Sequence, residues 1–176
     1  MFREERTQSK FQWSMLGDIA LGRPNLGTMT SVAAYRLMQF TMRDVLIQHC
    51  GVAVADEVFY ESGKVAGWHF YKNLLPEGLP LNQFVNQLQQ KLEELQIGML
   101  RVEKADRERL TFTITVAEDL DCSGLPLAAE QICTYDEGFI AGILQAYAGC
   151  GFSVKEIDCW CSGDRVCRFD VKPESI

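Results

Sequence analysis

Cys133-Thr-Tyr-Asp-Glu-Gly138-Phe139-Ile-Ala-Gly142, followed by Glu156-Ile-Asp-Cys159-Trp-Cys161-Ser-Gly163-Asp164-Arg-Val-Cys167, is the part of the chain on which its fold turns. Seven cysteines occur in 176 residues, and four of them (Cys150, Cys159, Cys161, Cys167) fall between positions 150 and 167. Thiols beside a carboxylate, on two short segments joined by a Gly-Asp turn, suit a structural metal clip. Zinc fits such a donor set because it accepts sulfur and carboxylate oxygen together in a closed tetrahedron. Glu156 and Cys159 are three apart, on opposite faces of an ideal strand, so a bulge or twist is needed to aim both at one ion. Cys159 and Cys167 face each other across the Gly163 turn. The spacing follows no standard zinc-finger rule, and buried cysteines serving as small apolar residues remain the competing explanation.

Upstream of this stretch, residues 99–104 and 110–116 alternate apolar with polar residues around Asp106-Arg-Glu-Arg. That reads as an antiparallel hairpin, with Phe112, Ile114 and Val116 on one face and Thr111, Thr113 and Thr115 on the other. A helix is expected from about Glu130 to Ala148, with Phe139, Ile143 and Tyr147 inward. A second hairpin is expected from residues 152–159 and 165–171. Residues 118–128 form a loop. Earlier, helical spacing predicts helices over Val32–His49, Asp56–Leu75 and Asn82–Gln96. Gly51 stops the first, Thr30 or Ser31 caps it, and Pro76 ends the second. Gly63 and Gly67 in the second helix mark either a close backbone approach or glycines that packing tolerates. Residues 1–30, broken by Gly17, Gly22, Pro24 and Gly27, form an N-terminal arm with a short strand or turn. Residues 31–176 form one domain. The class is α+β: about four antiparallel strands with about four helices on one face.

Composition narrows the function. Forty-seven per cent apolar and 23% charged residues describe a globular chain rather than a disordered one. A net charge of −7, without any Lys/Arg cluster, argues against a nucleic-acid surface. No apolar run reaches the roughly 18–20 residues of a membrane span. The charged start Met1-Phe-Arg-Glu-Glu-Arg lacks the apolar core of a secretion signal, so a cytoplasmic location is expected, where an odd set of cysteines reads as metal ligands and buried thiols. There is no G-x-G-x-x-G after a strand, no P-loop and no Ser/His/Asp constellation; only His49 and His69 could supply a histidine base.

The run from Cys133 through Gly138 and Gly142 to Glu156-x-x-Cys159-x-x-x-Gly163-Asp164-x-x-Cys167-Arg-Phe169 resembles the signature of the 4-vinyl reductase domain family. This small-molecule-binding domain also serves as the sensory module of bacterial phenol- and xylene-responsive activators. Its fold is similar to those of Golgi transport-particle subunits and nitric-oxide-signalling ligand domains. The resemblance implies that Cys133, Glu156, Cys159 and Cys167 hold a structural zinc, with Cys122, Cys150 and Cys161 as competitors for a seat. A closed four-ligand site leaves no position for catalysis. By register it also places Phe139, Ile143, Tyr147 and Val154 at the ligand pocket. Phe112 and Trp68 join them on pattern alone. The sensors orient the phenolic hydroxyl with a His and a Trp; Phe84 and Phe112 stand near those places here, so phenol is not the expected ligand. The expectation is a non-enzymatic sensor or carrier of a hydrophobic or aromatic small molecule. It acts as a homodimer, through the glycine-marked helix or the arm, and passes its signal to a separate partner. The alternative is a tetrapyrrole-binding accessory protein or vinyl reductase of chlorophyll-type synthesis, with His49 or His69 available to a tetrapyrrole metal.

Overall fold

Residues 7–128 and 132–174 are described by the computed structural model. In chain order the elements are α1 (Ile19–Gly22), α2 (Val32–Cys50), α3 (Val52–Leu74), α4 (Leu81–Glu94), β1 (Met99–Asp106), β2 (Thr111–Ala117), α5 (Thr134–Ala148), β3 (Phe152–Asp158) and β4 (Cys167–Pro173). Local chemistry sets the boundaries. The Ser31 hydroxyl caps α2 by accepting the Ala34 N–H at 3.2 Å. Gly51, at φ 82°, turns the chain directly from α2 into α3. Helix α3 therefore begins at Val52, four residues before the expected Asp56. Helix α5 starts at Thr134 and ends at Gly149 in the left-handed conformation; the expected start near Glu130 lies outside the described residues. The described part of the arm contains a 3-10 turn at Trp13–Leu16 and the single turn α1, with no strand; the expected arm residues 1–6 lie outside the described residues.

Four glycines decide how the helices stack. A Cβ on Gly63 would stand 2.1 Å from the Tyr135 carbonyl oxygen, and one on Gly67 2.0 Å from that of Phe139. The contact is mutual, because a Cβ on Gly138 would meet the Tyr60 oxygen at 1.9 Å and one on Gly142 the Lys64 oxygen at 2.1 Å. Helices α3 and α5 thus touch backbone to backbone. Each glycine costs helix stability of about 1 kcal/mol relative to alanine, and the close approach explains why each is present. Of the two sequence readings of Gly63 and Gly67, close approach is the one observed.

The sheet is antiparallel throughout, in the order β1-β2-β4-β3. Its inner face presents Leu100, Phe112, Ile114, Val116, Phe152, Val154, Phe169 and Val171, all buried, while Ser153, Lys155 and Ile157 face solvent. Helix α4 adds Phe84, Leu88 and Leu92 at four-residue steps to the same core. One expected outward residue, Thr115, is buried. It sits at the centre of the outer face, flanked in register by Arg101 and by Arg168, which pairs with Glu103 and Asp158. The α+β class and the single-faced helix layer are as the sequence indicates. Among the described residues no helix is long and apolar enough to cross a membrane.

Candidate metal centre and adjoining cavity

Five donors converge where β2, β3, β4 and α5 meet. Cys167 opens β4, and Cys133 occupies the N-cap of α5. The β3–β4 register slips between Glu156 and Asp158, and Glu156 lies on the inner face of β3. Such a slip is the irregularity that Glu156 and Cys159 needed to share one face. Glu137 of α5 pins it, accepting the Glu156 backbone N–H at 2.8 Å. Cys122 arrives by a different route. The Asp119 carboxylate accepts the backbone N–H groups of Asp121 and Cys122 at 2.8 and 3.0 Å, curling the loop after β2 back on itself. Helix α2 clamps that curl. Arg36 donates to the carbonyls of Leu120 and Ser123, while Tyr35 and Gln39 donate to the Asp121 carboxylate.

The sulfur atoms of Cys122, Cys133, Cys159 and Cys167 all lie within 4.8 Å of one another, and all four residues are buried. Cys133 Sγ stands 3.8 Å from that of Cys159 and 3.7 Å from that of Cys167, whereas Cys122 and Cys167 approach to 3.0 Å. Glu156 is 2% exposed, and neither carboxylate oxygen has a hydrogen-bond partner. An orphaned buried polar atom costs about 1–3 kcal/mol, and more when charged. Burial pushes the Glu156 carboxyl up to about 8, against a Cys133 hydrogen bond that lowers it. Hydrogen bonds from Cys122, Cys133 and Cys167 hold the Cys159 thiol below the usual range, so this sulfur ionises most readily. Uncompensated thiolate character and orphaned carboxylate oxygens form a site that a thiophilic divalent cation would satisfy.

Cys161 is buried beside this group but is not one of the four clustered sulfurs; Cys150 is half-buried and Cys50 exposed. A second donor group, Asp119, Cys133 and Asp136, also lies within 4.8 Å. Burial, then the Asp121 charge, raises Asp119 to about 6. Burial, then Asp119 and Asp121, holds Asp136 well above the carboxylate range. Sequence reasoning placed Cys122 only as a competitor and missed Asp119 and Asp136. The available signal was Asp119-x-Asp121-Cys122, an acidic residue three before a cysteine in a loop.

Two open spaces adjoin the centre. An inner cavity of about 40 Å³ lies between α4, α5 and β1–β2, with Leu88, Leu100, Ile114 and Ile143 around it and Asp119 and Asp136 also lining it. It has room for water, not for an organic molecule. An outer groove of about 780 Å³ runs between the arm (Phe11, Trp13) and α3 (Val65, His69), reaching Tyr135 and Phe139 of α5. Phe139 borders both spaces, and Ile143 borders the inner one. Tyr147 stacks on Phe84 with ring centroids 4.0 Å apart and donates to the Leu79 carbonyl. Val154 and Phe112 are buried in the core, and Trp68 is on the surface at 41% exposure. None of these last four lines either space. His69 lies in the groove wall, edge-on to Phe11, whereas His49 is exposed.

Comparison with known proteins places this architecture. An uncharacterized protein of Methanocaldococcus jannaschii is 23% identical over 158 residues, spanning 89% of this chain and 86% of the relative. Among solved structures, the phenol-responsive sensory domain of the transcription activator PoxR with phenol superposes with a TM-score of 0.65 at 15% identity. That match covers 84% of this chain and 76% of the other. A vinyl-4-reductase family protein from M. jannaschii gives 0.61 at 18% identity, over 96% and 100% of the two chains. A trafficking protein particle complex subunit 3 from Naegleria fowleri, covalently bound to palmitic acid, gives 0.61 at 13%, over 82% and 98%. At these identities the likeness is one of fold. Residues 112–173 match the family model of the 4-vinyl reductase domain, a span that holds all five clustered donors. The chain therefore carries a 4-vinyl reductase domain over residues 112–173.

Proposed function

We propose that this chain is a non-enzymatic small-molecule-binding domain, a sensor or carrier, whose hydrophobic pocket is anchored by a structural zinc. The observation that carries the reading is the convergence of buried sulfurs with a buried, unpartnered Glu156. A zinc–sulfur bond of about 2.3 Å gives a tetrahedral edge of about 3.8 Å. The Cys133–Cys159 and Cys133–Cys167 separations, 3.8 and 3.7 Å, match that edge. Cys133, Cys159 and Cys167 take three seats and Glu156 the fourth. Cys122, 3.0 Å from Cys167, would have to draw back by about 0.8 Å to share the ion with it, so it is the weaker claimant. Zinc here closes β3, β4 and α5 into one rigid wall, and metal affinity becomes part of folding free energy.

The pocket reading draws on Phe139 and Ile143, which face the inner cavity. The bound molecules named for the PoxR domain and the particle subunit, phenol and palmitic acid, are both largely apolar. A tetrapyrrole-binding role is supported by one observation. His69 stands in a groove of about 780 Å³ beside Phe11, Trp13, Phe70, Tyr135 and Phe139, a volume within the range of small-molecule sites. As a homodimer the chain would pair through the arm and α2. The glycines of α3 are occupied by α5, whereas Leu37, Met38, Met42 and Val45 of α2 are exposed. Elemental analysis and an absorption spectrum of the purified protein test the reading together. One zinc per chain and no visible band support the sensor or carrier; a Soret-type band supports the tetrapyrrole role. Turnover with a reduced nicotinamide or flavin would overturn the non-enzymatic assignment.

A further inference from the structure

The inner cavity is apolar everywhere except at one place. Leu88, Leu92, Leu100, Ile114 and Ile143 contribute hydrocarbon, while Asp119 and Asp136 contribute carboxylates. Asp119 is 4% exposed, with Oδ1 engaged by two backbone N–H groups. Asp136 Oδ2 is fully buried and has no hydrogen-bond partner. Oxygen atoms of the two carboxylates lie within 4.8 Å of each other. Two acids enclosed at that distance repel one another, and the nearby Arg36 spends its donors on loop carbonyls rather than on either carboxylate. A ligand that enters with a positively charged, multiply donating head satisfies the orphaned oxygen and removes the repulsion.

We propose that this cavity takes a hydrophobic primary amine, its ammonium between Asp119 and Asp136 and its hydrocarbon body against the leucine and isoleucine walls. The proposal rests on the small-molecule-binding reading above and specifies the chemical class of the ligand. Phe84 and Phe112, both buried in the core, offer no polar partner, and the acidic pair supplies one at another position in the chamber. Entry follows from Phe139. Its side chain is half-buried and borders both the inner cavity of about 40 Å³ and the outer groove of about 780 Å³. Turning that ring aside joins the two spaces and gives the room that the closed cavity lacks.

Three probes of one size separate the head group from the hydrocarbon: benzylamine, benzyl alcohol and benzoate, titrated calorimetrically into the full-length, metal-replete protein at neutral pH. Benzylamine is expected to bind at least about tenfold more tightly than benzyl alcohol, and benzoate not at all. Asp136→Asn is expected to abolish the preference while leaving metal content unchanged. Equal affinity for amine and alcohol would overturn the amine assignment and leave the small-molecule reading standing; no binding of any probe would overturn both. A second equivalent of divalent metal, lost in Asp136→Asn, would make this a cation centre and also overturn the proposal. If Asp136→Asn fails to fold, the comparison of amine with alcohol on the unaltered protein still decides.

Discussion

The C-terminal half and the N-terminal third of this molecule use apolar and polar groups in opposite ways. Around α5, β3 and β4 the chain closes on itself: the clustered cysteines are at most 1% exposed, and α3 presses backbone to backbone on α5. Helix α2 is held on one side only, by Arg36, Tyr35 and Gln39 reaching the 119–123 turn and by an Arg43–Asp56 ion pair with α3. Its other side shows Leu37 at 69% and Met38 at 58% exposure. A face satisfied within the chain carries stability, whereas an apolar face left open is available for association. The two regions are therefore expected to respond to substitution in different currencies, one in melting temperature and the other in oligomeric state.

The largest effect is expected at the metal centre. Cys159→Ser should lose the metal and more than about 4 kcal/mol of stability, a fall in melting temperature of roughly 10 °C, read by calorimetry alongside elemental analysis. Unchanged metal content and melting would remove the reason for treating the C-terminal half as metal-anchored. Next comes the glycine seam. Gly138→Ala places a methyl group 1.9 Å from the Tyr60 carbonyl oxygen, and forcing the helices apart should cost about 3 kcal/mol in urea unfolding. Gly22→Ala, with nothing within 4 Å of the added carbon, is the matched control and should cost nothing. Arg36→Ala breaks a polar link between the two regions. It should cost about 1–3 kcal/mol and raise the alkylation rate of Cys122, read by mass spectrometry. Met42→Glu should change stability least, within about 0.5 kcal/mol for an exposed site, yet convert a dimer to a monomer by light scattering. A dimer that survives Met42→Glu would place the association surface elsewhere.

Much of this was legible in the sequence because periodicity and glycine spacing are local signals. The two hairpins, the three long N-terminal helices and the α3–α5 glycines follow from residues three or four apart, or two apart in strands. Cys133, Glu156, Cys159 and Cys167 fall in one small region of the structure. The membership of Cys122 in the sulfur cluster was not legible. Its position depends on Asp119 capturing two backbone N–H groups and on α2 holding the turn from more than eighty residues away, and neither leaves a periodic trace. The start of α3 was displaced for a similar reason: Gly51 is both the end of one helix and the entry to the next. Tyr147, Val154 and Phe112 were assigned to a pocket by register. Register places residues on a face, but whether that face is open depends on neighbours such as Phe84, which fills the space against Tyr147.

The central claim is that converging thiols and one carboxylate hold a zinc ion that fixes the C-terminal wall. Elemental analysis of protein purified without added metal tests it most directly, paired with thiol titration before and after a strong chelator. The account predicts one zinc per chain, with Cys133, Cys159 and Cys167 unreactive until the chelator removes it. A protein that is folded, free of any bound cation, and indifferent to the chelator would contradict it.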